Sequence, residues 1–322
     1  MTAIISALSE VAAGYDAVFC DLWGCLHNGR APFPAAVSAL QGFRARGGKV
    51  VLLTNAPRPF GTVAAQLDAM GVPRDAWDLV VTSGDAAQTA MLAGAVGRKV
   101  FFIGAGKDEA FFRDLPSDAG GAVERVALDQ AEGVVCTGLR DDLTETPDDY
   151  RLELMQAKAR DLPFLCANPD VIVDFGDKRL YCAGALAQSY EAMGGRAIYV
   201  GKPHPPIYDL ARRRLAALDA VDLRILCIGD GVTTDIRGGV AEDLDTLFVT
   251  GGIAAAEFGT DTENPDQGLL DGWLAGQQLA ATDAIGKLRC RVRLESRRWL
   301  SNTGLHTGTL GKNADQQALA RA

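Results

Sequence analysis

Short runs of almost uninterrupted apolar residues alternate with helical patterns along most of this chain. Val50–Leu53 and Ile225–Ile228 are two such runs. A strand that is apolar at every position is typical of a sheet covered on both faces, and strands that alternate with helices form parallel βαβ units. The sequence therefore predicts an α/β fold with a doubly wound, mostly parallel sheet.

The composition predicts a sizeable buried core and limits the classes of partner. The chain has 322 residues, of which 48% are hydrophobic and 23% charged. The net charge of −9 argues against a nucleic-acid-binding surface. We find no signal-peptide pattern and no apolar run of transmembrane length. Seven cysteines without a zinc-type CxxC pair indicate buried free thiols. We therefore expect a cytoplasmic protein without membrane contact.

Three predicted strands end in polar residues suited to phosphate chemistry, namely Asp21, Thr54-Asn55 and Gly229-Asp230. The stretch between the second and third is too long for one crossover and has its own alternation of strands and helices. We therefore predict that an α/β cap domain is inserted into the core. The predicted division is a first core segment over 1–84, the cap over 85–195, a second core segment over 196–282 and a C-terminal extension over 283–322.

The predicted extension, residues 283–322, is more basic than the rest of the chain. From Ser301 onward it is rich in Gly, Thr, Asn and Gln, which is typical of a poorly packed segment. A basic docking segment is the alternative, because a cluster of like charges can also bind a partner.

Asp21 follows an apolar strand and precedes a turn at Gly24. Open α/β sheets bind ligands at the carboxyl ends of their strands, and a carboxylate there can act as a nucleophile. An Asp that only caps the following turn is the structural alternative.

Two further strand ends carry groups that can bind an anion. Thr54 and Asn55 offer a hydroxyl and free backbone N–H groups. Lys202, in Gly201-Lys202-Pro203, can balance the charge of both a phosphate and an attacking carboxylate. An ordinary strand-to-loop transition and a solvated loop lysine are the corresponding alternatives.

Asp230 and Asp235 flank a glycine-containing turn after another apolar strand. Two carboxylates in this arrangement can bind a hard divalent cation, directly or through its waters. Mg²⁺ suits them better than Zn²⁺, since no His or Cys cluster accompanies them. An Asx-turn followed by a helix N-cap is the alternative.

The order of these motifs resembles that of the haloacid dehalogenase-like (HAD) hydrolase superfamily. The matching motifs are Asp21-x-x-Gly24, Thr54-Asn55, Gly201-Lys202-Pro203 and Gly229-Asp230-x-x-x-Thr234-Asp235. The long insertion resembles subfamily IIA, the NagD-like branch, as do Ala167-Asn168-Pro169-Asp170 and Gly184-Ala185 within it. The resemblance covers roughly residues 14–260 and implies a phosphatase of small phosphorylated metabolites.

The resemblance also implies a role for each matching residue. Asp21 would attack phosphorus and become an aspartyl phosphate, and Lys202 would balance charge beside it. Thr54 would hydrogen-bond the phosphoryl oxygens, and Asn55 would position the substrate. The Mg²⁺ site would comprise Asp21, the backbone carbonyl of Trp23, Asp230 and Asp235, the last of which would hold the site in place.

Two further implications concern the cap. Asn168 and Asp170 would face the substrate from it, and relatives with this cap often pair through it, so a homodimer is a possible assembly.

Arg58, in the loop after Asn55, could reach a second anionic group of the substrate, although a solvated loop arginine is an equal alternative.

Trp23 departs from the superfamily pattern, because most of its phosphatases have a second Asp at this position. That Asp protonates the leaving oxygen and then activates water, and such acid–base help is typically worth roughly 10²–10⁴-fold in rate. His27, in the flap Leu26-His27-Asn28-Gly29, is the obvious substitute by position and ordinary pKa. A flap residue that contacts substrate or cap is, however, the favoured interpretation of His27.

Three interpretations of the function follow from Trp23. The protein is a phosphatase for substrates with good leaving groups or with a substitute acid. Alternatively, it performs other chemistry on a phosphorylated or halogenated substrate. As a third possibility, it is a binding or regulatory protein that has kept the phosphate and Mg²⁺ site and lost turnover.

Overall fold

The computed structural model describes residues 2–115, 122–175 and 178–290. The strands in these ranges are β1 (Ala3–Ile4), β2 (Ala17–Cys20), β3 (Lys49–Thr54), β4 (Leu79–Thr82), β5 (Lys99–Ile103), β6 (Glu124–Arg125), β7 (Gly133–Cys136), β8 (Phe164–Cys166), β9 (Ile172–Phe175), β10 (Lys178–Tyr181), β11 (Ala197–Tyr199), β12 (Ile225–Gly229), β13 (Asp245–Val249) and β14 (Asp283–Ile285). The α-helices are α1 (Pro34–Ala45), α2 (Phe60–Ala69), α3 (Ser83–Leu92), α4 (Ala110–Arg113), α5 (Arg151–Ala159), α6 (Ala183–Ala192), α7 (Pro205–Ala216), α8 (Arg237–Ala241) and α9 (Gln267–Gly276).

The larger sheet has the strand order β1-β14-β13-β12-β2-β3-β4, and every neighbouring pair in it is parallel. The inner strand β2 is buried at all its positions, as its apolar sequence predicts. Cys20 pairs with both Leu52 and Ile228, so these three strands end side by side. The polar residues that follow them therefore meet at one edge of the sheet.

Helices cover both faces of this sheet. On one face, Val18 and Leu52 belong to the same buried cluster as Leu40 of α1. On the other face, Phe19 is clustered with Tyr208 of α7. Neighbouring residues of β2 thus serve opposite layers, as side chains alternate along a strand. The predicted doubly wound, mostly parallel α/β fold is confirmed.

The smaller sheet has the order β11-β8-β7-β5-β6, again with parallel neighbours, and lies within the segment inserted between β4 and β12. One of its faces packs on α5 and α6 through Leu154 and Tyr190, and the other packs on α3 and α4 through Met91 and Phe111. An antiparallel hairpin, β9–β10, follows β8. We call this sheet, its helices and the hairpin the cap.

Two strands lie outside the regions to which the sequence analysis assigned them. β11 was expected in the second core segment, but it pairs with β8 in the cap sheet. β14 was expected in the poorly packed extension, but it pairs with β13 and β1, and its residues Ala284 and Ile285 are fully buried. In both cases the short run is too local a signal to assign a strand to a sheet. Its place follows only from the strand with which it pairs. Residues 291–322 of the predicted extension lie outside the described residues.

The cysteines agree with their sequence pattern. All seven are free, and six of them are buried. Within the described ranges, the helices are too short or too polar for any of them to cross a membrane.

Candidate active site

A cavity of about 600 Å³ is lined by residues that follow strands of both sheets. Ten of the residues that the sequence analysis assigned to the site line it: Asp21, Trp23, Thr54, Asn55, Arg58, Asn168, Asp170, Lys202, Asp230 and Asp235. The carboxyl ends of parallel strands bring them together, as in the ligand crevices of other open α/β sheets. His27 is not among the lining residues.

Lys202 joins two carboxylates at the bottom of the cavity. Its Nζ donates to Asp21 Oδ1 at 2.7 Å and to Asp235 Oδ1 at 2.6 Å. Lys202 is only 3% exposed, so its charge cannot be balanced by solvent. Burial alone would lower the pKa of Lys202, but the two carboxylates raise it well above its usual value. The ammonium is therefore a fixed positive charge beside Asp21.

The carboxylates of this group outnumber the ammonium. Burial and the charges of Asp21 and Asp235 raise the pKa of Asp230 well above its usual value. Burial also raises the pKa of Asp21, against the opposing effect of Lys202, and raises that of Asp235 to about 6. Three buried carboxylates with one ammonium leave an excess of negative charge that a cation would balance.

Asp230 is held tightly by backbone on both sides. Ile253 N donates to its Oδ2 at 2.8 Å. A Cβ on Gly24 would lie 1.9 Å from that oxygen, and one on Gly252 would lie 2.1 Å from it. Gly24 also has a φ of +74°, a backbone conformation that L side chains rarely adopt. Glycine is therefore required at this turn both by its conformation and by the approach of Asp230.

Asp21, Cys25 and Asp230 offer ligand atoms that all lie within 4.8 Å of one another. Asp21 and Asp230 were predicted in this role, whereas Cys25 was not. Asp235 is not in the group; its Oδ1 accepts from Lys202 Nζ, and its Oδ2 accepts from the Gly231 N–H at 3.0 Å. Asp235 instead orients Lys202 and the turn after β12.

Asn55 connects the core to the cap and to Lys202. Its Oδ1 accepts from Lys202 N at 2.7 Å, and its Nδ2 donates to Lys202 O at 3.0 Å. The same Nδ2 donates to Asp170 Oδ1 at 2.8 Å. Asp170 is itself fixed by its N–H, which donates to Asn168 Oδ1 at 3.0 Å. The side-chain amide of Asn55 is thus used for positioning, while the Thr54 hydroxyl accepts only from Ala56 N among the described residues.

His27 does not occupy the position of a proton donor. It is 2% exposed, and its Nδ1 accepts from Gly29 N at 3.0 Å. Burial, aided by the charge of Arg58, lowers its pKa to about 4, so the imidazole is neutral at neutral pH. The expectation of a substitute acid at His27 is therefore corrected: His27 shapes the flap from inside and does not reach the cavity.

Trp23 forms part of an aromatic wall instead. Its ring centroid lies 6.1 Å from that of Phe175 in the cap hairpin and 5.4 Å from that of His27. A Cβ on Gly29 would lie 2.4 Å from the indole, so the flap turn packs directly on the ring. Phe175 was missed by the sequence analysis, which did not identify the β9–β10 hairpin. The two short runs Ile172–Phe175 and Lys178–Tyr181, separated in the sequence by the two residues Gly-Asp typical of a hairpin turn, are the signal that could have revealed it.

Family models match both halves of the core. A model described as haloacid dehalogenase-like hydrolase matches residues 18–116, and a HAD-hydrolase-like model matches residues 199–272. A crystal structure of a haloacid dehalogenase-like hydrolase from Brucella suis 1330 is 41% identical and has a TM-score of 0.77; the match covers 88% of this chain and 100% of that one. The chain therefore belongs to the haloacid dehalogenase-like hydrolase family and is an enzyme of that class.

Comparison with curated relatives indicates the subfamily to which the chain belongs. Ribonucleotide monophosphatase NagD of Escherichia coli K12 is 27% identical over 248 residues, which are 74% of this chain and 89% of the relative. D-glycerol 3-phosphate phosphatase of Mycobacterium tuberculosis is 29% identical over 77% of this chain and 67% of the relative. Within the family, the chain is a member of subfamily IIA, the NagD-like branch.

Proposed function

We propose that the protein is a Mg²⁺-dependent phosphatase of small phosphorylated metabolites that acts through an aspartyl phosphate on Asp21. The contact of Asp21 with Lys202 at the bottom of a shared core–cap cavity carries this proposal. The names of the relatives support it, since they include a ribonucleotide, a glycerol phosphate and a sugar phosphatase.

The donor set fits a hard divalent cation. Asp21 and Asp230 supply carboxylate oxygens, the ligands that Mg²⁺ prefers, and the excess negative charge around them favours binding. The metal, when bound, offsets the charge of the phosphoryl group and of the carboxylates around it. Cys25 adds a thiol beside these oxygens, and burial raises its pKa well above the usual value. We therefore assign Cys25 no part in holding Mg²⁺.

In the proposed reaction, the side chains of Asp21, Lys202 and Thr54 act directly on the phosphoryl group. An oxygen of Asp21 attacks phosphorus, and the bond from phosphorus to the leaving oxygen breaks with its electron pair on that oxygen. Lys202 keeps Asp21 oriented and offsets the charge of the phosphoryl group. The Thr54 hydroxyl has a proton to donate to a phosphoryl oxygen. Water then cleaves the acyl phosphate, which releases phosphate and restores Asp21.

Trp23 determines which leaving groups are favoured. An indole cannot protonate the leaving oxygen, and His27 is neutral and outside the cavity. Substrates whose leaving oxygen is stable without a proton, such as aryl and acyl phosphates, are therefore expected to react faster than alkyl phosphates. Trp23 also motivates a second candidate function, a phosphate- and Mg²⁺-binding protein without turnover.

A panel of phosphate esters with and without Mg²⁺ tests the proposal. We expect Mg²⁺-dependent release of phosphate from 4-nitrophenyl phosphate by the wild type. Asp21→Asn is expected to abolish it, whereas Glu257→Gln, an exposed site, is expected to leave it unchanged. A rate that survives in Asp21→Asn contradicts the proposed nucleophile. Binding of phosphate analogues without multiple turnover favours the second candidate.

A further inference from the structure

The cap presents its own strand ends to the cavity. Asp108 and Thr137 follow β5 and β7, which are parallel neighbours that pair Ile103 with Cys136. Their segments approach closely, since a Cβ on Gly104 would lie 2.0 Å from Thr137 Oγ1. The edge of the cap sheet is therefore built as the core edge is, with polar side chains where parallel strands end.

Asp108 has an oxygen for which no partner is found among the described residues. Its side chain is 2% exposed, and its Oδ2 accepts from Thr137 Oγ1 at 3.1 Å. Its Oδ1 is buried and has no hydrogen bond within that part of the chain. A buried acceptor without a donor is costly, and such groups in folded proteins call for an explanation.

The charged neighbours of Asp108 in the sequence do not supply that donor. Lys107 pairs with Asp142 and Glu109 pairs with Arg125. Arg58 lines the same cavity from the core side and forms no hydrogen bond or ion pair within the described ranges. Its charge acts on Asp108 through space without a direct bond. Within those ranges, the residues of an unpaired cation and an unpaired acceptor thus line one cavity.

We propose that Asp108, Thr137 and Arg58 form a leaving-group subsite that binds a hydrogen-bond-donating substituent of the substrate, either a hydroxyl or an ammonium. This inference rests on the proposed phosphatase function and specifies its substrate class. Asp108 Oδ1 accepts from the substituent, while Thr137 holds the carboxyl group in place through Oδ2. Arg58 favours a substrate that also carries a negative group at that end. The aromatic wall of Trp23 and Phe175 suits a ring between the phosphate and this substituent.

Matched aryl phosphates test the subsite, because their leaving groups need no proton donor. The probes are phenyl phosphate, 4-hydroxyphenyl phosphate and O-phosphotyrosine, which carry no donor, a hydroxyl, and an ammonium with a carboxylate. The variants are Asp108→Asn, which removes the charge, and Asp108→Ala, which removes the acceptor. Glu109→Gln is the control, since it makes the same charge change next to Asp108 but at a residue that pairs with Arg125 outside the cavity.

We expect Asp108→Ala to lower kcat/KM for the donor-bearing esters roughly ten- to hundredfold, as for the loss of a hydrogen bond to a charged group, and to leave phenyl phosphate unchanged. In Asp108→Asn, which keeps a carbonyl acceptor but not the charge, an ammonium-binding subsite loses phosphotyrosine, whereas a hydroxyl-binding subsite keeps 4-hydroxyphenyl phosphate. Equal losses for all three esters, or none, overturn the subsite while the phosphatase function stands.

A wild type that hydrolyses none of the esters contradicts the proposed function, and binding then decides the subsite. Calorimetry with the same esters measures their Kd for wild type and Asp108→Ala in Mg²⁺. Weaker binding of only the donor-bearing esters to Asp108→Ala supports the subsite. Identical affinities in the two proteins overturn it. Thermal unfolding of each variant checks that it is folded.

Discussion

Asn55 and Lys202 hold each other through a reciprocal pair of hydrogen bonds between the Asn55 side-chain amide and the Lys202 backbone, at 2.7 and 3.0 Å. These residues are 147 positions apart in the chain and come from opposite ends of the inserted segment. The pair fixes the backbone from which the Lys202 ammonium reaches Asp21. Asn55 also donates to Asp170 of the cap, so one amide links the nucleophile's partner to the cap.

Replacing Asn55 by Ala is expected to destabilise the fold and to misplace Lys202. The change leaves a buried N–H and C=O of Lys202 without partners, which costs about 1–3 kcal/mol for each unsatisfied group. Urea unfolding measures the loss, and phosphate release measures the effect on turnover. Asn264→Ala, which removes an exposed amide bonded to Asp261, should change neither the stability nor the rate of phosphate release. An Asn55→Ala protein as stable and active as wild type would show that the pair is dispensable.

Gly24→Ala is expected to weaken Mg²⁺ binding by displacing Asp230. The added Cβ would overlap Asp230 Oδ2, and the positive φ adds backbone strain. Gly47→Ala is the matched control, because Gly47 has a φ of +92° but open space around its Cβ position. Calorimetric Mg²⁺ titration should show lost affinity only in Gly24→Ala, while both variants lose stability through strain. Equal Mg²⁺ affinities in the two variants would contradict the role of the close approach.

The three carboxylates of the site are expected to make the metal-free protein less stable as pH rises. Asp21, Asp230 and Asp235 have pKa values raised in the folded state, so the fold binds more protons than the unfolded chain over the intervening range. For Asp235 this range runs from the ordinary value of 3.8 to about 6. His27 acts in the opposite direction over this range, because its lowered pKa makes the unfolded chain bind more protons than the fold. Tm in EDTA is therefore compared with that of Asp235→Asn, which keeps His27: the wild type should lose Tm relative to the variant from pH 4 to pH 6, and Mg²⁺ should restore it at higher pH. A Tm difference that stays constant or changes in the other direction over this range would contradict the electrostatics of the site.

Trp23→Asp is expected to raise turnover of alkyl phosphates by roughly 10²-fold or more, because it supplies a proton donor and acceptor near the leaving oxygen. Trp23→Asn is the matched control, since it removes the indole from the aromatic wall without adding an acid. Steady-state rates on glycerol 3-phosphate and 4-nitrophenyl phosphate distinguish the two effects. If Asp and Asn variants behave alike on both esters, the missing carboxyl is not what limits alkyl phosphate turnover.

Local sequence patterns were sufficient to predict the strands that position the nucleophile and its neighbours. The run Ala17–Cys20 is apolar at every position, which is typical of a strand covered on both faces. The structure buries all four of these residues, and Asp21 directly follows them. The same reasoning located Thr54 and Asp230. Parallel pairing then required that these three residues meet, so the core of the site followed from strand ends alone.

Long-range pairing decided what the patterns left open. β11 is a three-residue strand whose sequence suits either sheet, and its partner β8 lies far away in the chain. β14 is equally short and begins with a charged residue, yet it lies between β1 and β13. His27 looked suitable as an acid from its distance to Asp21 along the chain, but the flap turns its imidazole inward.

The sequence by itself determined the α/β class, the order of the reactive residues, and the family to which they belong, because each depends on residues close together in the chain or on strand ends in a parallel sheet. Only the tertiary structure decided what surrounds Asp21. The aromatic wall, the burial of Asp108 beside the cavity and the link from Asn55 to Asp170 all depend on how the cap docks onto the core. Contacts of that kind join residues that no local pattern relates, since burial and pairing are properties of the packed molecule.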